Sequence, residues 1–231
     1  GFTITDLGTD IYIANSSSDF TISASDGFGS QASQVIKGET NAFSDLPQRA
    51  VNGMVVEIAG SPDNTFDNYY VVYESANNTD VGVWKETVEP GLKNNFDLDT
   101  MPHVLIRTAD NNFRFTEVDG SNYTISGTQY SVPNYEGRIV GDEISASDPS
   151  FVNSKINDVF LYRNRLGFIA GENIILSRSG DFFKFYPETV TQILDTDQID
   201  INVSHTKVST LRHAIPFNEE LLIFSDQTQF N

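Results

Sequence analysis

Period-two alternation, broken every few residues by turn formers, is the feature that most narrows what this chain can fold into. It is densest from Ser150 to Asn231. Asn157–Phe168 reads NDVFLYRNRLGF, an apolar strand, a basic turn and the start of a second strand. Val159 and Leu161 alternate there with Phe160 and Tyr162, so one face can pack inward. Leu166 and Phe168 continue into Ile169, and a turn at Ala170–Asn173 leads into Ile174–Ser177. Ser177–Pro187 (SRSGDFFKFYP) is a Gly-centred turn followed by aromatics, and Leu211–Phe230 supplies two further strands broken at Pro216–Asn218. Short strands with turn signals at regular spacing predict a meander, as in a β-propeller blade or a barrel wall.

The rest of the chain reads the same way, more thinly. Residues 1–36 alternate at Phe2, Ile4, Ile11, Ile13, Phe20 and Ile22, with turns at Asn15–Ser18 and Asp26–Ser30, which fits a sheet edge or an extended arm. Phe43–Ala50 is the best helix candidate, about two turns long, capped by Ser44 or Asp45 with Pro47 in its first turn. Met54–Ala59, Tyr69–Glu74 and Val81–Val88 are expected strands, joined by polar turns at Gly60–Asn68 and Asn77–Asp80. His103–Thr108 and Asn112–Val118 form a hairpin, a second lies near Tyr123–Tyr130, and Asp142–Pro149 (DEISASDP) reads as a linker. The expected fold is therefore all-β with very few short helices. A meander or sandwich-like part, residues 1–149, precedes a β-propeller-like part, residues 150–231.

Composition narrows the function. The chain of 231 residues has 39% hydrophobic and 12% aromatic residues, enough for a sizeable core. No apolar run is long enough to span a bilayer as a helix. Cysteine is absent, which excludes disulfides and thiolate metal sites. Residues 1–150 carry 22 acidic and 7 basic residues (−15), residues 151–231 carry 10 and 7 (−3), and together these make the net charge of −18. Such a surface repels phosphates, so DNA binding by charge neutralisation is not expected, and solubility is the simplest role for the acidity.

Few residues invite a chemical role. Asp195, Asp197 and Asp200 (DTDQID) are candidate ligands for a hard cation such as Ca²⁺, but the run lacks the glycine and terminal glutamate of a calcium loop and also reads as a solvated turn entering a strand. Paired carboxylates could hydrolyse glycosides, yet 32 acidic residues make pairs unavoidable, Glu219–Glu220 included. His103, His205 and His213 are the only histidines, and Ser204, Ser209 and Asp200 lie near the last two in sequence. No G-x-S-x-G elbow accompanies them, so catalytic residues and cofactors are not expected. Arg163, Arg165 and Arg178 are read as structural or subunit contacts. Arg163 and Arg165 would project to one side of an extended chain, towards a neighbour's acids or DNA, or else onto Asp181, Asp158 and backbone carbonyls. Phe182, Phe183, Phe185 and Tyr186 would pack a core, with an exposed sugar platform as the alternative.

KINDVFLYRNRLGF, followed by ENIILSRSGDFFKFYPETVTQILDTDQIDINVSHTKVSTLRHAIPFNEELLIFSDQTQF, resembles the central region of the tail nozzle protein of short-tailed bacteriophages, also called tail tubular protein B. Phe43–Tyr73 and Gly82–Arg107 share the resemblance; the first forty residues and Asp119–Glu136 do not clearly do so. The resemblance implies a β-rich, non-catalytic subunit of a hexameric tube at the tail tip, part of it a propeller. It implies other copies of the chain, an adapter (tail tubular protein A) and tail fibre proteins as partners, and DNA as passing cargo. It also implies synthesis in the host cytoplasm and residence in the virion tail. Proteins of that family are longer on both sides, so the chain is expected to be an internal part of one.

Overall fold

A computed structural model describes residues 1–29, 32–60, 68–76, 81–203, 210–226 and 229–230. Among these, the 3-10 turns Phe43–Asp45 and Leu98–Thr100 lie wholly within the described residues, and no helix is long and apolar enough to cross a membrane. The all-β expectation holds. The chain divides into two compact units that alternate along the sequence: Gly1–Leu92 with Val140–Ser145 and Thr189–Thr191, and Lys93–Ile139 with Ala146–Glu188 and Gln192–Asn231.

In the first unit, β1 (Phe2–Asp6) and β2 (Ile11–Asn15) form an antiparallel ribbon with Ile4 opposite Ile13 and Asp6 opposite Ile11. A four-stranded sheet follows: β3 (Glu39–Thr40), β4 (Val55–Ile58), β5 (Tyr69–Ser75) and β6 (Gly82–Thr87), paired in that order. Val56 opposite Val71 and Tyr73 opposite Trp84 put one parity of side chains inward, where Val56, Ile58, Val71 and Tyr73 are buried. Ile36, Leu46 and Met54 cover them. The opposite parity, including Glu57, Val72, Val83 and Lys85, stays in partial or full contact with water.

The two-turn helix expected at Phe43–Ala50 is not there. Only Phe43–Asp45 turns, Ala42 occupies the cap position, and neither Ser44 nor Asp45 caps it. Leu46 is extended (φ −65°, ψ 140°) because the following Pro47 disfavours the α conformation in the residue before it. The extended chain then puts two carbonyls to use: Pro47 O accepts from Trp84 Nε1 (2.9 Å) and Gln48 O from the Tyr73 hydroxyl (3.3 Å). Most of the turn at 60–68, and all of that at 77–80, lies outside the described residues.

The second unit begins with two hairpins, β7 (Val104–Arg107) with β8 (Phe113–Thr116) and β9 (Asn122–Ile125) with β10 (Thr128–Ser131), both where the sequence puts them. Its centre is an antiparallel meander of β11 (Ile156–Tyr162), β12 (Arg165–Ala170), β13 (Asn173–Leu176) and β14 (Ile199–Asn202). The last sheet is β15 (Leu211–Phe217), β16 (Glu220–Ser225) and β17 (Gln229–Phe230). Pro216 does not break β15; the strand runs through to Phe217, and the turn falls at Asn218 (φ 56°). β15 is an edge strand of its sheet, where a missing N–H can be tolerated.

The two middle strands of the meander, β12 and β13, are buried on both faces, which the one-faced alternation did not predict; β14 and the Val159 and Leu161 side chains of β11 stay exposed. On one side Phe168, Ala170 and Ile175 join Met101, Val118, Tyr135, Phe151 and Phe185. On the other, Phe160, Ile169, Ile174 and Leu176 join Leu211, Ala214 and Ile223. Gly167 permits this packing: a Cβ there would lie 2.3 Å from Cζ of Phe160 and 2.8 Å from Cδ2 of Leu176. Among the described residues every sheet is open, and none closes into a ring.

Candidate functional site

The three arginines singled out in the sequence all lie in the second unit, and each is engaged within the chain. Arg163 (φ 45°) and Asn164 (φ 59°) are the two central residues of the β11–β12 turn, the left-handed pair that a tight hairpin of type I′ needs. That turn carries Arg163 away from Arg165, so the two do not project together. Arg163 lies beside the Tyr162 ring and donates to the carbonyl of Glu219 (2.8 Å), which also accepts from the Tyr162 hydroxyl (2.5 Å). The tip of one hairpin thereby holds the tip of the next.

Arg165 opens β12 and is buried. Its guanidinium donates to the carbonyls of Ser177 (2.7 Å), Asp195 (3.0 Å) and Asp197, tying the end of β13 to the loop before β14. Arg178 is also buried, and it pairs with the carboxylate of Glu188 while its backbone N–H donates to Lys184 O (2.9 Å). The acids offered as partners serve elsewhere. Asp158 accepts from the backbone N–H of Ala214 (2.9 Å), and Asp181 lies 3.8 Å from Lys184. Together with Asn157 Nδ2 donating to Leu211 O (2.9 Å), these bonds make a polar seam along the meander and the β15–β16 hairpin.

The metal candidates do not converge. Asp195 and Asp197 give their carbonyls to a cation already present, Arg165. The Asp197 carboxylate accepts from Leu194 N–H (2.7 Å) and that of Asp200 from Ser150 N–H (2.7 Å). Among the described residues no three His, Asp or Glu side chains come together as a metal-holding group. His103 Nδ1 contacts the Met101 carbonyl (2.9 Å), and His213 Nδ1 sits 3.6 Å from Asp158. His205, Ser204 and Ser209 lie outside the described residues.

Glu89, Pro90, Gly91, Leu92 and Glu143 line an open depression of about 350 Å³ in the first unit. A glycosidase would need one carboxyl there held protonated. Among the described residues, every carboxyl whose pKa is displaced moves down. Asp142 lies beside the depression in sequence: its partial burial acts upward but is outweighed by hydrogen bonds from the Ser145 backbone and hydroxyl and the Ile144 backbone.

The aromatic run divides: Phe182, expected in the core, is exposed, Phe183 is half-buried, and Phe185 and Tyr186 pack inward. Phe185 stacks on Phe168 (5.0 Å between centroids) and meets Phe151 edge-on (5.1 Å); Tyr186 stacks on Phe96 (5.2 Å). The core reading is therefore the one the structure supports for Phe185 and Tyr186.

A family description, bacteriophage nozzle protein, matches residues 1–231. The chain belongs to the bacteriophage nozzle protein family. It is also 40% identical over 205 residues to "Tail tubular protein gp12" of Escherichia phage T7, an alignment covering 89% of this chain and 23% of that protein. The chain thus spans about a quarter of the length of the curated relative it matches. The resemblance carried by KINDVFLYRNRLGF and the residues after it is borne out.

One buried arginine of this nozzle-family chain was missed in the sequence. Arg138, buried, donates to the carbonyls of Ala146 (2.6 Å) and Lys93 (2.9 Å) and to the carboxylate of Asp148 (2.7 Å), and lies over the Tyr186 ring. The Tyr186 hydroxyl donates to the same carboxylate (2.7 Å). Next to it, a Cβ on Gly137 would fall 2.1 Å from the Asn94 carbonyl. Within the stretch 142–149, expected to be a linker, the Asp142 carboxylate accepts from the backbone N–H groups of Ile144 and Ser145 in the first unit, and Arg138 donates to the Ala146 carbonyl and the Asp148 carboxylate in the second. A lone arginine between glycine and isoleucine carries no local signal of such a role.

Proposed function

We propose that this chain is an architectural segment of a phage tail nozzle, a tube at the tail tip through which DNA leaves for the host. The family match over all 231 residues carries the reading. In it the chain binds no cofactor and catalyses no reaction. Copies of the complete protein form a hexameric ring, joined to an adapter of the tail tubular protein A kind and to tail fibre proteins. They are made in the host cytoplasm and reside in the virion tail. Residues 150–231 contribute part of a β-propeller-like domain and residues 1–149 an acidic platform-like domain. In support, the middle strands of the meander, β12 and β13, are covered on both faces, as the inner strands of propeller blades are by their neighbours. Arg163, Arg165 and Arg178 act in this reading as internal latches.

The acidity has a role in such a tube. A basic wall would gain affinity from counterion release at each phosphate it met, and the duplex would stick. An acidic wall repels phosphates and leaves DNA free to slide, within a Debye length of about 8 Å at physiological salt. Phage particles made without this protein should have filled heads and tails lacking the distal tube; infectious particles with complete tails would sink the reading. Replacing lumen-facing acids by lysine should leave assembly intact and slow DNA ejection, most at low salt. Ejection unchanged at every salt concentration would reduce the acidity to a matter of solubility.

A further inference from the structure

Among the described residues, three two-stranded ribbons stand outside the larger sheets: β1–β2, β7–β8 and β9–β10. Ribbons this short are marginal in water unless a face is covered. β9–β10 has a face covered: Tyr123 and Tyr130 stack 5.3 Å apart, and Arg114 of β8 lies 4.3 Å over the Tyr123 ring. The other two ribbons each leave most of a face open: Phe20 meets Phe2 edge-on (5.1 Å) at one end of β1–β2, and His103 stacks on Phe115 (5.0 Å) at one end of β7–β8.

On β7–β8, Val104 packs on the buried cluster, and alternation turns Leu105, Arg107, Phe113 and Phe115 the other way. On β1–β2, the register gathers Phe2, Ile4, Asp6, Ile11 and Ile13 on one face. Phe2, Ile4, Ile11, Leu105, Phe113 and Phe115 are 59% to 69% exposed. Each face therefore holds large apolar side chains in water and a single charge at its turn end, Asp6 opposite Ile11 on one and Arg107 opposite Phe113 on the other. The charges are opposite in sign. Asp6 accepts from Gly8 N–H (2.9 Å) and Arg107 donates to Asn111 Oδ1 (3.4 Å), both neutral groups that leave the charge in place.

A ring of more than two copies of one chain closes through two different, complementary patches rather than one self-complementary patch. We propose that the β1–β2 ribbon of one copy docks face to face on the β7–β8 ribbon of the next, a contact that rests on the ring assembly proposed above. Burial of the apolar side chains drives it. The Asp6–Arg107 attraction sets which ribbon meets which, since neither ribbon has it with its own kind. Each face is about 15 Å by 10 Å, so one contact is smaller than the roughly 800 Å² per partner of a stable interface and gains its strength from ring closure.

The absence of cysteine makes a direct test clean. Ile4→Cys and Leu105→Cys are made singly and together in the full chain, and mild oxidation is followed by denaturing gels and by sedimentation velocity. Mixing the two single variants should give a disulfide-linked dimer, and the double variant a ladder of multimers. Arg107→Asp should weaken the mixed cross-link several-fold, and Asp6→Lys on the partner should restore it. Dimers formed by either single variant alone, or a cross-link closed within one chain, would overturn the pairing. Oligomers in sedimentation without cross-links would also sink it while leaving ring assembly standing. A chain that stays monomeric and uncross-linked at high concentration would sink both.

Discussion

The two four-stranded sheets differ in how many faces they bury. The β3–β6 sheet buries one parity of residues, around Val56, Val71 and Tyr73, and gives the other to solvent. The β11–β14 meander buries both in its middle strands, β12 and β13, with Phe168 and Ile175 on one side and Ile169 and Ile174 on the other. The sequences show why. YYVVYES in β5 ends in charge and polarity and is matched by GVWKET in β6, so polar groups fall on the outer face. LGFIA and NIIL have almost no polar side chain to spare for a wet face, the pattern of a strand covered on both sides. A one-faced sheet can end a unit; a two-faced one must lie in the middle of it.

The largest expected effect breaks this contrast or confirms it. Phe168→Ala and Ile169→Ala remove adjacent side chains from opposite faces of β12, and each should cost about 3–4 kcal/mol in denaturant unfolding. In the first unit, Val72→Thr alters the outer face of β5 and should stay within about 0.5 kcal/mol. If only one of the β12 pair proves costly, the meander is one-faced after all.

Arg138→Ala comes next. It strands carbonyls of Ala146 and Lys93 and removes the partner of Asp148, and should cost about 3 kcal/mol. A loss no greater than for an exposed lysine would show that the latch adds nothing. Gly167→Ala then tests the close approach of β11 and β12. Its methyl meets the Phe160 ring and Leu176 side chain, which can move, so about 1–3 kcal/mol is expected.

The smallest effect is on pH dependence. Burial raises the pKa of Tyr135 and Tyr186 in the second unit, aided for Tyr186 by Asp148. Burial first, then Glu57, Glu89 and Asp142, pushes Tyr70 in the first unit up to about 12. The folded state thus holds these protons above pH 10, where the unfolded chain releases them. The stability they contribute is complete below pH 10 and is lost as pH rises past it. Phenolate absorbance should show these tyrosines ionising late, Tyr135 and Tyr186 only with unfolding. Simple titration of all tyrosines near pH 10 in the folded protein would contradict the burial described.

Local pattern determined much of this protein by itself. Alternation located the hairpin at 104–116 and the meander from Ile156 to Leu176, because strand pairing between neighbours in sequence needs only a turn and matching faces. The turn at Arg163–Asn164 was legible as a turn, and the net charge of −18 is a plain count. The run KINDVFLYRNRLGF was enough to point to the nozzle family. Tertiary structure alone decided the rest. Alternation states that two faces differ, but not whether something distant in sequence covers the second one; Phe151 and Phe185 on one side and Leu211 and Ile223 on the other did that. For Arg165 the sequence allowed a neighbour's acids, DNA, or acids and backbone carbonyls of its own chain, and only the fold brings the carbonyls of Ser177, Asp195 and Asp197 around it. Arg138 likewise becomes a latch only when Lys93, 45 residues away, offers its carbonyl. A buried charge is kept where several acceptors converge, and acceptors that far apart along the chain converge only through the fold.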